Sequence, residues 1–533
     1  MTVLFEEATP LTSDIAWLRQ ILSWCQDDQP DATPPLDSIA AGLHKAGEVE
    51  IETLCETLLA NLVPGPAQAK RLRSLLQIMA SRFVTRQSRE NRLSDESNPA
   101  IAIEALTQLY LRWLPVDPTC AALTLQCLAA QSDEEAIAAT AELISQHPLA
   151  DWQLVGLGLS PLWKCDGQLL AFFFERLDSQ VFHPSTLSVL LDLANHGMRS
   201  SRLEHHPWST QCDQLAALLK QVVIRLEKLQ RDPSQFGHDV KQVQQVLNDA
   251  VALTISLCDT LGQIGHAASI PALHEALELA HRRIQCEAAA SLAGMNDPRG
   301  LQRLVELALD PVARVRAVNY AEELGVADQI DQQYRSPLAL AESDLAGWLA
   351  RPEQFGLPPT RIESIETRTL YWPGYEEPRD CYLFRFEYEL PQGSTCNIGI
   401  AGPVTLAFAT NLNHFPLEDV YAAFAGWQLE HEEIYELPIR QLAGQQSRWV
   451  ELMIDSMREA GYEEIAPVML TFLLGEPALL TQASQGSSRG IAIAQESDIS
   501  FFPANSQPDS MTPAVALSIF RGRKLLQAFN GSL

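Results

Sequence analysis

The chain repeats itself between Val251 and Gly325. Leu261, Leu292 and Leu324 recur at intervals of 31 and 32 residues, and each lies near the end of an apolar, alanine-rich helical pattern. A period of this length is typical of stacked helical hairpins, because one hairpin alone cannot bury its apolar face. The recurrence therefore predicts an α-solenoid, an architecture that presents an extended surface for recognition.

Length and composition limit what the rest of the chain can be. With 533 residues the chain is too long for one hydrophobic core, so we expect two or three domains. A hydrophobic content of 46% and a charged content of 20% are ordinary for a globular protein and exclude wholesale disorder.

The net charge limits the class of partner. The formal charge of −29 is spread along the chain rather than concentrated in an acidic tail. Nucleic acids and anionic membrane surfaces are bound through Lys and Arg, so an acidic chain disfavours both of them as partners. We expect another protein as the partner, with the acidic surface also serving solubility.

Cysteine usage and the N-terminus bear on the compartment. Ten cysteines occur without a C-x-x-C pair, and most lie in apolar helical stretches, as Cys55 and Cys258 do. This pattern favours a reducing compartment. The first residues carry acids where a signal peptide needs bases, and no apolar run reaches the roughly 18 residues of a membrane span. The sequence therefore predicts a cytoplasmic protein without membrane insertion.

The pattern over residues 1–334 is helical, and the clearest repeats lie at 251–330. Apolar residues recur with the helical period, and no alternating run is long enough to indicate a strand. Polar segments at 85–99 and 196–208 interrupt the pattern. We expect this part to be an α-helical solenoid of hairpins.

The repeats also carry a family resemblance. Leu261-Gly262 followed by Ile270-Pro271, and later Leu292-Ala293 and Leu324-Gly325, resemble the HEAT-like repeats of the phycobilin-lyase type over about residues 251–325. Ala293 departs from the pattern because it replaces the turn glycine. The resemblance implies a scaffold or adaptor. It also leaves open an alternative, a bilin lyase or chaperone that holds an extended tetrapyrrole.

The composition changes after Tyr334. A proline-bearing linker is expected at 335–355 and an α+β domain with an antiparallel sheet at 356–533, either one domain or two halves at 356–440 and 441–533. The alternation in Asp380–Leu390 predicts a strand with an aromatic inner face. Its expected cover is two helices, which bear the following residues: Tyr421, Phe424 and Trp427 on one, and Trp449, Met453 and Met457 on the other.

Motifs for chemistry are missing from the sequence. It has no glycine-rich phosphate loop and no G-x-S-x-G elbow. His196, His205 and His206 form a histidine cluster without the further ligands that zinc needs, and Glu432 and Glu433 belong to an acidic run without a partner base. We therefore expect no metal or other cofactor and no catalytic residues, although a site assembled from distant segments stays open.

One turn is a candidate binding site. Tyr371, Trp372 and Tyr375 surround Pro373-Gly374 between two expected strands. Aromatic residues at a turn serve either as anchors for a partner or as the end of a hydrophobic core. The sequence as a whole predicts a non-enzymatic interaction scaffold with a C-terminal binding module, and the bilin lyase or chaperone is the alternative.

Overall fold

The computed structural model describes residues 21, 24, 36–90, 100–177, 183–232, 239–391, 393–430, 437–442, 444–473, 475–496, 498–504 and 511–531. Contacts within the chain divide it into two compact units, residues 1–303 and 304–533. The domain boundaries expected at 334 and 355 stay predictions.

The first unit is helical, as the sequence predicts, and no strand occurs among its described residues. Its helices are α1 Leu36–Lys45, α2 Glu48–Asn61, α3 Pro66–Glu90, α4 Ile103–Trp113, α5 Pro118–Ala129, α6 Glu134–Gln146, α7 Trp152–Leu159, α8 Gly167–Arg176, α9 Pro184–Arg199, α10 Cys212–Arg231, α11 Val240–Ile264, α12 Ile270–Leu277 and α13 Arg282–Gly294. Helix α14, Pro298–Ala308, crosses the division between the units.

These helices stack in two layers. Helices α1, α3, α5, α7, α9, α11 and α13 each pack on the next member of that series. In the other layer α2, α4, α6 and α8 pack in turn, as do α10 and α12. Two layers in which helices contact the next helix of the same layer are the arrangement of a solenoid of hairpins.

Local sequence signals begin and end these helices. Asp117, Asp133 and Asp166 each precede a helix and accept hydrogen bonds from backbone N–H groups of its first turn. Small residues set the spacing of the repeats: a Cβ at Gly262 of α11 would lie 2.6 Å from Cβ of Ser291 on α13. The alanine- and glycine-rich repeats thus allow neighbouring helices to approach closely.

The second unit contains helices and two antiparallel sheets. After α15 Arg314–Glu323, α16 Gln332–Arg335 and α17 Pro337–Leu349, its elements are β1 Arg361–Leu370, β2 Arg379–Leu390, β3 Gly393–Ala401, β4 Leu406–Ala407, α18 Leu417–Glu430, β5 Leu437–Pro438, α19 Gln445–Glu459, β6 Tyr462–Leu473, β7 Glu476–Gln485, β8 Ser488–Ala494, β9 Ile499–Pro503 and α20 Pro513–Asn530. The strand orders are β1-β2-β3-β4 and β5-β6-β7-β8-β9.

The sheet region has the same layout twice. Helix α17, strands β1–β4 and helix α18 are followed by α19, strands β6–β9 and α20, so each half runs helix, four strands, helix. From the second strand of each half onward the spacing is nearly constant, and α18 and α20 begin 96 residues apart, at Leu417 and Pro513. This regularity fits the two expected halves, which stay a prediction.

The layers of this unit differ from the expected packing. The residues Tyr382, Phe384, Phe386 and Tyr388 of β2 are buried, as the alternation predicts, but their cover is α17, through Ala341, Leu345 and Leu349. Helix α18 packs on the opposite face of the sheet, and α19 packs on the second sheet. The expectation that these two helices cover the aromatic face is wrong, because the first sheet is buried on both sides and residues 335–355 contain its second cover.

Helices α18 and α20 lie between the two sheets and share one hydrophobic core with both. They cross at two glycines, Gly426 and Gly522, which we call the crossing glycines. A Cβ at Gly426 would lie 1.9 Å from the carbonyl oxygen of Ser518, and a Cβ at Gly522 would lie 1.7 Å from that of Ala422. The two helix backbones therefore touch, which only glycine permits at these positions.

Candidate binding surfaces

Charged side chains lie along three neighbouring helices of the first unit. Asp192 and Arg199 belong to α9, Asp259 to α11 and Arg283 to α13. The Arg199 guanidinium donates to the Asp259 carboxylate, and this ion pair joins α9 to α11. The neighbouring charges of Asp259, Arg283 and Arg199 all act on Asp192. We call these four residues the charged groove.

The carboxyl group of Asp192 has a raised pKa. The residue is exposed to solvent, and yet its pKa is raised to about 6, chiefly by desolvation and further by the negative charge of Asp259. A hydrogen bond with Ser256 and the charges of Arg283 and Arg199 oppose the shift.

A buried polar cluster holds α9 and α11 together near the charged groove. Oδ1 of Asn195 accepts hydrogen bonds from Oγ1 of Thr260 and from the His206 ring, each at 3.1 Å. Nδ1 of His206 accepts from the backbone N–H of Trp208, so Nε2 carries the proton toward Asn195. Burial lowers the pKa of His206 to about 4, and the ring is therefore neutral at pH 7.

The three histidines that lie close together in the sequence have different environments in the fold. His206 is buried while His205 is exposed, and His196 packs against the Trp163 ring. Within the described ranges, no group of three or more His, Cys, Asp or Glu side chains is placed to hold a metal ion. Glu432 and Glu433 of the acidic run lie outside the described residues.

A cavity of about 480 Å³ lies where the start of α9 meets α10 and α11. Its apolar lining includes Leu218, Val222 and Leu253, and its polar lining includes His183, Ser185 and Asp249. The volume is within the range of about 300–1,000 Å³ that small-molecule sites occupy. We call it the Asp249 cavity.

Two polar groups of the Asp249 cavity, the Asp249 carboxyl and the Ser185 hydroxyl, are removed from water without interactions that fully offset this loss. Burial raises the pKa of the Asp249 carboxyl, and the negative charge of Asp151 raises it further, whereas Gln245 and His183 oppose the shift. Gln245 donates a hydrogen bond of 2.9 Å to this carboxylate. Oγ of Ser185 is buried without a hydrogen-bond partner among the described residues. Buried polar groups of this kind are stabilised by a ligand that hydrogen-bonds to them.

The aromatic turn of the second unit contains one core residue and two exposed ones. Trp372 is 2% exposed, and its Nε1–H donates to Gln428 of α18. Tyr371 and Tyr375 are 45% and 38% exposed, and the Tyr375 hydroxyl donates to the carbonyl oxygen of Pro403. Trp372 therefore belongs to the core, and a binding role for Tyr371 and Tyr375 stays a prediction.

The Asp249 cavity has only a faint signal in the sequence. Its lining combines segments near residues 183, 222 and 249, which are separated by about 30 to 40 residues. The one local signal is Asp249 itself, an acid that directly precedes the apolar run Ala250–Ile255 of α11. An acid beside a run of buried residues indicates a special environment but not its nature.

No helix among the described residues combines the length and apolarity needed to span a membrane.

Comparison with known proteins identifies the repeats. None of the curated proteins and none of the solved structures matches the chain. One family model, described as HEAT repeats, matches residues 242–321, the segment that contains α12–α14 and most of α11 and α15. The chain is therefore a HEAT-like repeat protein in this segment.

Proposed function

We propose that this chain is a protein-interaction scaffold that binds a partner along the charged groove. The observation that supports it most directly is the row of exposed Asp192, Arg199 and Arg283 with partly buried Asp259. It crosses α9, α11 and α13, which are neighbours in one layer of the stack, and the HEAT-repeat match covers α13 and most of α11. HEAT-like repeats are consistent with such a role, and charged groups of both signs on one surface give specificity for a complementary partner.

The overall charge favours neutral or basic partners over nucleic acids. A formal charge of −29 repels phosphate, whereas it accelerates the association of a basic protein. The C-terminal module would supply a second contact through the exposed rings of Tyr371 and Tyr375. We assign no reaction and no cofactor to the chain, and we place its action in the cytoplasm.

The second candidate is a bilin-handling lyase or chaperone. It rests on the resemblance of the repeats to the phycobilin-lyase type and on the size of the Asp249 cavity. A bilin carries two propionates, which cations hold best, and the cavity lining offers Arg225 but also the carboxyl of Asp249. For this reason the bilin ranks below the protein partner. A shift of the biliverdin absorption bands on addition of the full chain, lost in Arg225→Gln, would favour this candidate.

A double charge swap tests the scaffold proposal. Arg199→Asp combined with Asp259→Arg keeps the internal ion pair and the net charge but reverses the pattern of the charged groove. The full chain, wild type or swapped, serves as bait in extracts of the source organism, and captured proteins are quantified by mass spectrometry. We expect the swap to remove the specific partner.

The matched control is the same swap on another helix. Glu227 and Arg231 form an exposed pair on α10, with Arg231 Nη2 and Glu227 Oε2 3.3 Å apart. Glu227→Arg with Arg231→Glu should leave capture unchanged, and circular dichroism should show that both swapped chains melt like the wild type. Equal capture by all three chains would mean that the charged groove does not bind the partner.

A further inference from the structure

We infer that the Asp249 cavity binds a short segment of a partner protein in which a bulky apolar residue lies next to a lysine or an arginine. This inference rests on the proposed scaffold function and adds the chemistry of one contact to it.

The walls favour an apolar side chain. Leu218, Val222 and Leu253 come from α10 and α11 and line the cavity, and Val222 and Leu253 are buried. A volume of about 480 Å³ exceeds that of a single side chain and accommodates two or three. A cavity with such walls gains free energy by removing apolar surface of a ligand from water.

The carboxylates of Asp249 and Asp151 favour a cation beside that side chain, and Arg225 is the opposing charge in the lining. Asp249 is partly buried, and Asp151 is the second carboxylate whose charge acts on it. An ammonium or guanidinium group placed here would offset the free-energy cost of burying the Asp249 carboxylate and would screen its repulsion from Asp151. The net charge of −29 would draw such a basic segment toward the chain.

The remaining polar groups favour a peptide over a compact organic cation. Oγ of Ser185 is buried without a partner among the described residues and lines the cavity. Gln221 and Arg225 also line it and are exposed. A peptide backbone offers carbonyl oxygens and N–H groups at regular intervals, which matches a hydroxyl and several N–H donors around an apolar cavity.

Capped tripeptides test the inference on the full chain. The probe is acetyl-Leu-Arg-Leu-amide, and the comparison probes are acetyl-Leu-Glu-Leu-amide and acetyl-Ser-Arg-Ser-amide. Saturation-transfer NMR gives the Kd of each. We expect the Arg probe with leucines to bind most tightly, and we expect Asp249→Asn to weaken it about tenfold, since this variant removes a charge-assisted contact.

Two further variants complete the design. Ala250→Phe fills the cavity from α11 and should abolish binding of the probe without touching a charge. Glu227→Gln changes the net charge of the first unit as Asp249→Asn does, but Glu227 lies on the exposed side of α10, so the Kd should stay within about twofold.

The outcomes separate this inference from the scaffold proposal. Tighter binding of the Glu probe, or a Kd that is unchanged in both Asp249→Asn and Ala250→Phe, would overturn the inference. No binding of any probe at millimolar concentration would overturn it as well. If the charge swap at Arg199 and Asp259 nevertheless removes the captured partner, the scaffold function stands and only the role of the cavity falls.

Discussion

At the scale of single residues, the crossing glycines are the most constrained positions of the second unit. Their Cα hydrogens face backbone carbonyl oxygens of the opposite helix, so no side chain fits without separating α18 from α20. Gly347 of α17 is different, because a Cβ at that position would have no neighbour within 4 Å.

This contrast yields a stability prediction. We expect Gly426→Ala and Gly522→Ala each to lower the free energy of unfolding by about 1–3 kcal/mol or more, because the added methyl forces two backbones apart. Gly347→Ala should raise it by about 0.5–1 kcal/mol, since alanine loses less backbone entropy in a helix. Urea unfolding of the full chain, followed by tryptophan fluorescence, measures all three. Equal changes in the free energy of unfolding at the three positions would contradict the backbone contact between α18 and α20.

His206 gives a second prediction, for the first unit. Its folded pKa of about 4 lies below the unfolded value of 6.5, so between these values the unfolded chain binds the proton and the folded chain does not. The contribution of the neutral ring is complete above pH 6.5 and is lost as the pH falls toward 4. The loss amounts to about 3 kcal/mol by the linkage relation.

The measurement compares the wild type with His206→Gln, which keeps a donor and an acceptor but does not titrate. Urea unfolding at pH 7.5 and pH 4.5 gives the free energy of unfolding of both chains. We expect the wild type to lose more of it than the variant does on acidification. The same loss in both chains would show that His206 does not titrate as argued.

At the scale of elements, the sequence predicts a strand better than it predicts which elements pack on its two faces. Alternation in β2 correctly identifies the buried aromatic face, because period two is a property of the strand alone. The same pattern does not reveal that Leu383, on the other face, is also buried. Strand β7 carries no such alternation, because its residues Ala478–Leu480 are buried on both faces.

Helix α17 provides the test at this scale. Leu345 is fully buried against the first sheet, and a Cβ at Gly399 of β3 would lie 2.9 Å from its side chain. We expect Leu345→Ala to cost about 2–5 kcal/mol, whereas Leu338→Ala on the same helix should cost far less, because Leu338 is 39% exposed. Thermal unfolding monitored by circular dichroism distinguishes them, and equal costs would mean that α17 is a linker rather than a cover.

At the scale of the whole molecule, local periodicity was sufficient for the helical repeats but not for the binding surfaces. Each HEAT-like hairpin is formed by about 31 consecutive residues, so its pattern is visible in the sequence. The Asp249 cavity and the charged groove each combine residues from three helices. A local sequence pattern does not show which helices pack against each other. The candidate turn at Tyr371, Trp372 and Tyr375 was visible, yet the indole N–H of buried Trp372 donates to Gln428, which lies 56 residues away.

Fragments test the extent of the second unit. A fragment of residues 304–533 contains α17 and both sheets, and we expect it to fold cooperatively. A fragment of residues 352–533 lacks α17 and exposes Phe384 and Phe386. It should therefore bind the dye ANS and lose near-ultraviolet circular dichroism. Cooperative unfolding of the shorter fragment with the same midpoint would contradict the role of α17.

The contact between the crossing glycines has a consequence for biosynthesis. Helix α18 is translated well before α20, and the part of its apolar surface that contacts α20 has no cover until α20 has been made. A nascent chain therefore presents this face to chaperones and proteases during the whole synthesis of the second sheet. A ribosome that stalls before Pro513 leaves a product with an uncovered core, which the quality-control machinery of the cell would recognise and remove.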